Sequence, residues 1–302
     1  MKQARLLLIS ALLVLVGHVA YAHPMRPRAM RVETGQAGLK GRLEIPGTDT
    51  VQILTTRDGA TNIGRIVELG TEEIRFETNY GTMAISIENI EAIRGVPTSS
   101  IRQGKYWGPN PNTSRLFFSP TGRMLKQGEG YVADYYVFFP CVTYGLTDRL
   151  TFGGGMSLFP GGTEQLFYFT PKVGIVSSES TNLAAGALIV KMPGDSDVAS
   201  IGVLYGVGTF GSPDASLTVG LGYGYSDGNL AERPVMMVGG EKRLSRRTAF
   251  VTENWVYPGE HPLISGGLRF FGEKLCVDFG LLTILGAKDV GFAPYIDFVV
   301  TF

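Results

Sequence analysis

From residue 114 onward, apolar residues recur at every second position, the period of a β-strand. Leu217, Val219, Leu221, Tyr223 and Tyr225 alternate with Ser216, Thr218, Gly220, Gly222 and Gly224. Phe167, Phe169, Pro171, Val173 and Ile175 oppose Tyr168, Thr170, Lys172 and Gly174. Leu275, Val277, Phe279 and Leu281 oppose Cys276, Asp278 and Gly280. Clusters of turn residues separate such runs and predict about twelve strands. These span 114–125, 131–146, 150–160, 166–178, 183–192, 198–210, 215–226, 234–244, 248–258, 262–272, 275–285 and 292–302. Their lengths suit tilted crossings of a thin hydrocarbon layer. The face opposite the oily one is mostly Gly, Ser and Thr with scattered charges, which fits a lumen better than the charged exterior of a soluble sandwich. Three positions break the pattern. Residues 183–192 alternate poorly, Asn254 opposes Glu253, and Asp134 falls on an oily face. Asp134 either sits beyond the bilayer edge or is shifted by a β-bulge.

The last run is Phe292-Ala-Pro-Tyr-Ile-Asp-Phe-Val-Val-Thr-Phe302. Phe292, Pro294, Ile296, Phe298, Val300 and Phe302 form its oily face, and Asp297 lies on the other. With its terminal aromatic residue, this strand resembles the closing strand of bacterial outer-membrane β-barrels. The resemblance implies that Phe298, Val300 and Phe302 carry an assembly signal for the barrel-assembly machinery, and that the oily face meets outer-membrane lipid. The other end of the chain agrees. Met1–Arg5 is basic, Leu6–Val16 is apolar except for Ser10, and Ala20-Tyr21-Ala22 fits a cleavage site. Residues 1–22 read as a secretory signal peptide. No later stretch reaches about 18 unbroken apolar residues, so transmembrane helices are not expected.

Between these ends, residues 23–45 read as a flexible segment and 98–113 as a Gly/Pro/Asn/Ser linker. Residues 46–97 show about five short strands with turn signals at Asp58-Gly59 and Asn79–Gly81. The stretches DGATNIGRIVEL (58–69) and EEIRFETNYGTMAISIENIEAI (72–93) resemble SH3-like or Sm-like domains. That resemblance implies a small periplasmic β-domain that docks a partner and supplies no catalytic residue. The expected fold is therefore all-β: an antiparallel up-and-down transmembrane barrel over 114–302, preceded by a small SH3/Sm-like domain.

Composition narrows function. The 302 residues include 41 Gly, and 27 Lys+Arg balance 27 Asp+Glu. Zero net charge gives no support for a nucleic-acid partner. No Cys/His spacing suggests a metal, and no cofactor is implied. Gly206-Val-Gly208-Thr-Phe-Gly211 matches a dinucleotide string, but it lies inside an expected strand rather than in a strand–turn–helix unit. Cys141 and Cys276 face inward about three strands apart, too far for a disulfide, and are expected as free thiols.

The inward charges are the functional lead: Arg115, Arg123, Lys172, Glu241, Arg243, Glu253, Arg269, Asp278 and Asp297. Most come from the first strand and the last five, which are neighbours if the sheet closes. The opposite wall offers Gly153, Gly155, Ser157, Gly202, Gly206, Gly208, Gly220, Gly222 and Gly224. About eight strands leave a filled interior and about sixteen a channel, so in a barrel of intermediate size side-chain bulk decides. Two readings stay open: a satisfied charge network that closes the barrel, or a narrow polar pore. Both are passive or structural, and no catalytic residue is expected. A membrane-embedded hydrolase using Glu253, Asp278 or His261 is the alternative, although His261 lies in a turn without a strand-spaced Ser partner. A soluble β-sandwich binding module is the third.

Overall fold

A computed structural model of the chain describes residues 39–160, 165–191, 200–226, 228–287 and 290–302. The expected signal peptide and most of the segment 23–45 lie outside the described residues. The described chain forms two compact units that divide at Gly108/Pro109.

The first unit is a five-stranded antiparallel sheet of order β4-β3-β2-β1-β5. Its strands are β1 (Thr50–Thr56), β2 (Thr61–Leu69), β3 (Glu73–Thr78), β4 (Gly81–Ser86) and β5 (Ile90–Pro97). One turn of 3-10 helix, Ile87–Asn89, joins β4 to β5. Alternation buries Leu54, Ile66, Ile74, Phe76, Ile85, Ile90 and Ile93 in one core with Leu39. Buried Gln52 is satisfied: its Nε2 donates to Glu44 O at 2.8 Å, and its Oε1 accepts from Ile66 N at 2.8 Å. The stretch read as a linker begins with structure. A 3-10 turn (Thr98–Ser100) leads into a hairpin of β6 (Ile101–Arg102) and β7 (Lys105–Tyr106).

The second unit is a closed antiparallel barrel. Its wall runs β8 (Gly130–Tyr135), β9 (Phe139–Thr147), β10 (Leu150–Met156), β11 (Phe167–Phe169) with β12 (Lys172–Ser177), β13 (Thr181–Lys191), β14 (Ile201–Ser212), β15 (Ala215–Ser226), β17 (Val235–Ser245), β18 (Thr248–Val256), β19 (Leu263–Phe271), β20 (Leu275–Ile284) and β21 (Ala293–Thr301). A two-residue strand, β16 (Asn229–Leu230), pairs only with β15. Both β11 and β12 pair with β10 and β13, so they are one wall strand interrupted at Thr170-Pro171, where proline has no N–H to give the ladder. The wall thus has twelve strands, and β21 closes it against β8. Closure into one barrel replaces the soluble-sandwich alternative.

The count agrees with the expectation through two compensating differences. Residues 114–125 are not in the wall; they fold inside it. The expected strand 131–146 is two strands, turning at Tyr136 (φ 53°) and Val137 (φ 68°). No glycine, asparagine or proline marks that turn.

The wall is oily outside. Leu217, Val219, Leu221 and Tyr223 of β15 are exposed, as are Phe298 and Val300 of β21, while Thr218, Tyr295, Asp297 and Val299 are buried inside. No bulge interrupts β8, so Asp134 stays on the outer face opposite Phe298 and Pro140. Outer-face Asn254 is satisfied by the wall: its Nδ2 donates to Val238 O at 3.0 Å, and its Oδ1 accepts from Ser265 N at 3.2 Å. Gly206–Gly211 lies within β14, without the helix a dinucleotide site needs. Cys141 and Cys276 are buried free thiols on β9 and β20, with β21 and β8 between them.

Candidate functional site

The site is a hairpin of irregular chain, residues 109–126, folded into the lumen. Its tip closes through Leu116 N donating to Ser119 O at 2.8 Å, and its stem through Thr121 N donating to Ser114 O at 2.9 Å. Ser119-Pro120 and Thr121-Gly122 turn the chain back; Leu116-Phe117-Phe118 breaks the alternation a wall strand would need. Leu116 and Phe117 are buried against Ala184, Val207, Met237, Val251, Leu282 and Tyr295. The wall makes room with glycine: a Cβ on Gly239 would stand 2.6 Å from Leu116 Cδ1, and one on Gly280 would stand 3.1 Å from Phe117 Cζ.

Charged wall residues hold this hairpin by its backbone. Glu253 of β18 takes the tip. Its Oε2 accepts from the N–H groups of Phe117 (3.0 Å), Phe118 (3.0 Å) and Ser119 (2.9 Å), and its Oε1 accepts from Trp255 Nε1 at 2.8 Å. Lys172 of β12 takes the stem. Its Nζ donates to the carbonyls of Ser114 (3.2 Å), Thr121 (3.2 Å) and Arg123 (2.7 Å). A carboxylate collects the hairpin's donors and an ammonium its acceptors, so buried peptide groups without a ladder are still paired.

Arg269 of β19 is fully buried at the centre. It forms a two-pronged pair with Asp278 of β20 (Nε–Oδ1 2.8 Å, Nη2–Oδ2 2.7 Å) and donates to Glu241 Oε2 of β17 at 2.7 Å. Two hairpin carbonyls, Asn112 O at 2.6 Å and Leu116 O at 2.7 Å, use its remaining donors. Arg115 of the hairpin pairs with Asp297 Oδ2 of β21 at 2.7 Å and lies 4.8 Å over the Tyr135 ring. With its amide flipped, the Asn112 side-chain oxygen also lies within hydrogen-bond distance of Arg269 Nη2 at 3.1 Å and Arg115 Nη2 at 3.3 Å. Asn110 donates to Glu241 Oε1.

The inward charges read from the sequence therefore have distinct places. Arg115, Lys172, Glu241, Glu253, Arg269, Asp278 and Asp297 meet around the hairpin. Arg123 lies on its returning arm and reaches Gly211 O at 2.9 Å and Ser216 Oγ at 3.3 Å. Arg243 is apart, paired with Asp214 at 3.1 Å across a strand turn and 5.0 Å over the Phe271 ring. Phe298, Val300 and Phe302 are exposed on the outer face of the closing strand. Sequence reasoning missed Asn110 and Asn112, which it assigned to a linker. His261 sits in an exposed turn between β18 and β19. Among the described residues, no group of three or more His, Cys, Asp or Glu side chains is placed to hold a metal ion.

The other side of the lumen is open. A cavity of about 190 Å³ lies between the hairpin and the wall, lined from β8 (Tyr131, Tyr135) round to Met237 of β17 and Trp255 of β18. Gly220 of β15 faces this space, with Met237 and backbone nearby at 3.5 Å and beyond. Gly202, Gly206 and Gly208, read from the sequence as lumen-facing, lie instead on the outer face of β14 with exposed Leu204 and Phe210, and Gly206 is paired with exposed Leu221; the inward positions of β14 are Val203, Tyr205, Val207 and Thr209.

No protein-family model matches the sequence, and no curated protein matches it. Several solved structures do align. The KdgM porin in complex with disordered oligogalacturonate shares 7% identity, with 57% of this chain and 95% of that chain covered and a TM-score of 0.38. The loop L8 deletion of OmpT, an outer membrane protein of Vibrio cholerae, shares 11% identity, with 84% and 97% covered and a TM-score of 0.34. Salmonella typhi OmpF in complex with Daunomycin shares 10% identity, with 84% and 96% covered and a TM-score of 0.33. At these values the likeness carries nothing about what this chain binds or does. The chain's own geometry is a closed barrel, oily outside, with its charges inside.

Proposed function

We propose that this protein is an outer-membrane β-barrel with a passive, structural role, whose lumen is closed by its own inner hairpin. A closed barrel with an apolar exterior leaves no unpaired backbone edge in lipid, which is the requirement for a spanning sheet. In this reading the barrel sits in a Gram-negative outer membrane, reached through the barrel-assembly machinery, and residues 46–97 form a periplasmic domain that docks an envelope partner. One observation carries the choice of closure over an open pore. The hairpin is pinned at its tip by Glu253, at its stem by Lys172 and at its centre by Arg269.

Enzyme chemistry finds little support. Both oxygens of Glu253 and both of Asp278 are committed to donors, and a general base needs a free one.

Single-channel recording of the purified, folded protein in a planar bilayer tests the reading. The native chain is expected to be silent across voltages. Glu253→Gln sets an amide among three N–H donors, loosens the tip and is expected to give discrete openings. Steady, salt-dependent conductance from the native chain would replace the closed barrel with a narrow polar pore.

A further inference from the structure

The cavity beside the hairpin carries polar groups that the protein leaves unpaired. Ser119 and Thr151 are each 2% exposed, and Arg115 is 3% exposed. Ser119 Oγ, Thr151 Oγ1 and Arg115 Nε have no hydrogen-bond partner in the protein. All three residues line this one cavity. Buried polar atoms without partners cost stability, and native proteins tolerate few of them. Their convergence on one space is a feature of binding sites, where a ligand completes the bonding.

Charge points the same way. Lys172 is Thr151's cross-strand partner, so both side chains project from one face into the lumen. Three carbonyls hold its ammonium, and no carboxylate pairs with it among the described residues. Carbonyl dipoles do not neutralise a buried cation as an anion does. The far side of the space is apolar, formed by Val203, Tyr205, Val207 and Met237. Gly220 adds no side chain to that side.

We propose that this cavity is a binding site for one small organic acid. Its carboxylate faces the Ser119 and Thr151 hydroxyls in the field of Lys172 and Arg115, and its apolar body lies along Tyr205, Val207 and Met237. The site goes beyond the closed-barrel reading and does not depend on it, since binding is measured without current flow.

Calorimetric titration of the full chain, folded in detergent micelles, tests the site with benzoate as the probe and benzamide as its neutral counterpart. One benzoate per chain is expected, with benzamide weaker by about tenfold or more, as loss of a charge-assisted contact implies. Thr151→Val removes a hydroxyl that has no partner to lose, so the barrel stays heat-modifiable on gels while benzoate affinity falls by about fivefold to tenfold. Gly220→Val projects a side chain beside Met237 into the space and abolishes binding. No saturable heat with benzoate, equal affinity for benzamide, or native affinity in either variant would overturn the site. The unpaired atoms would then be served by water.

Discussion

The two halves of the lumen are built from the same kind of strand and end in opposite states. From β17 to β21 the wall carries Glu241, Glu253, Arg269, Asp278 and Asp297, all buried, and the space in front of them is full. From β13 to β15 its inner face carries no charge, with Val203, Tyr205 and Val207 on β14 and Thr218, Gly220 and Gly222 on β15, and a cavity remains there. The difference follows from what each residue type demands. A buried charge must be paired and hydrogen-bonded. Wall charges alone do not saturate one another, so they take up the peptide groups of a chain segment that has no ladder of its own. Glycine makes no such demand, and nothing is drawn in to cover it. Charge on the wall of this barrel determines where the hairpin is drawn in, and a wall without charge leaves space in front of it.

The largest effect should come from breaking the charged half at its centre. Arg269→Ala strands Asp278 and Glu241 and is expected to cost about 3–5 kcal/mol. Gly220→Ala on the other wall meets only ordinary contacts at 3.5 Å and beyond and should stay within about 0.5 kcal/mol. Urea titration of the folded barrel, read by heat-modifiability on gels, compares the two; equal costs would erase the distinction between the walls. Lys172→Met is intermediate. It removes an ammonium from three hairpin carbonyls while keeping the stem's bulk, with an expected loss of about 2 kcal/mol. Limited proteolysis should then cut within 109–126 faster than in the native chain; an unchanged rate would mean that Glu253 and Arg269 hold the hairpin unaided. The smallest effect lies where neither kind of wall decides. Val137 is a β-branched residue at φ 68° in the exposed β8–β9 turn. Val137→Gly is expected to stabilise the barrel by about 1 kcal/mol, with proteolysis of the hairpin unchanged.

Much of this was legible in the sequence, and the losses have physical causes. The outer and inner faces of β15, β20 and β21 follow directly from alternation, because a strand has only two faces and a bilayer makes one of them oily. The inward charges could be named for the same reason. The hairpin was not legible as a hairpin. Ser114–Leu125 contains enough apolar residues to pass as a strand, and its turn signals at Pro120 and Gly122 were weaker than the expectation of another wall segment. The β8–β9 turn left no mark, because Tyr136-Val137 uses left-handed backbone without the residues that usually provide it.

The sequence by itself determined the strands, which of their faces is oily, and which charges point inward. These depend on a two-residue period that neighbouring positions already define. Only the tertiary structure decided that residues 109–126 leave the wall, that Glu253 and Lys172 hold opposite groups of one hairpin, that Gly202, Gly206 and Gly208 face outward, and that an unpaired cavity remains beside Gly220. Those facts arise when β8 meets β21, because closure brings side chains from distant strands around one shared interior. No local pattern encodes which of them will find a partner there.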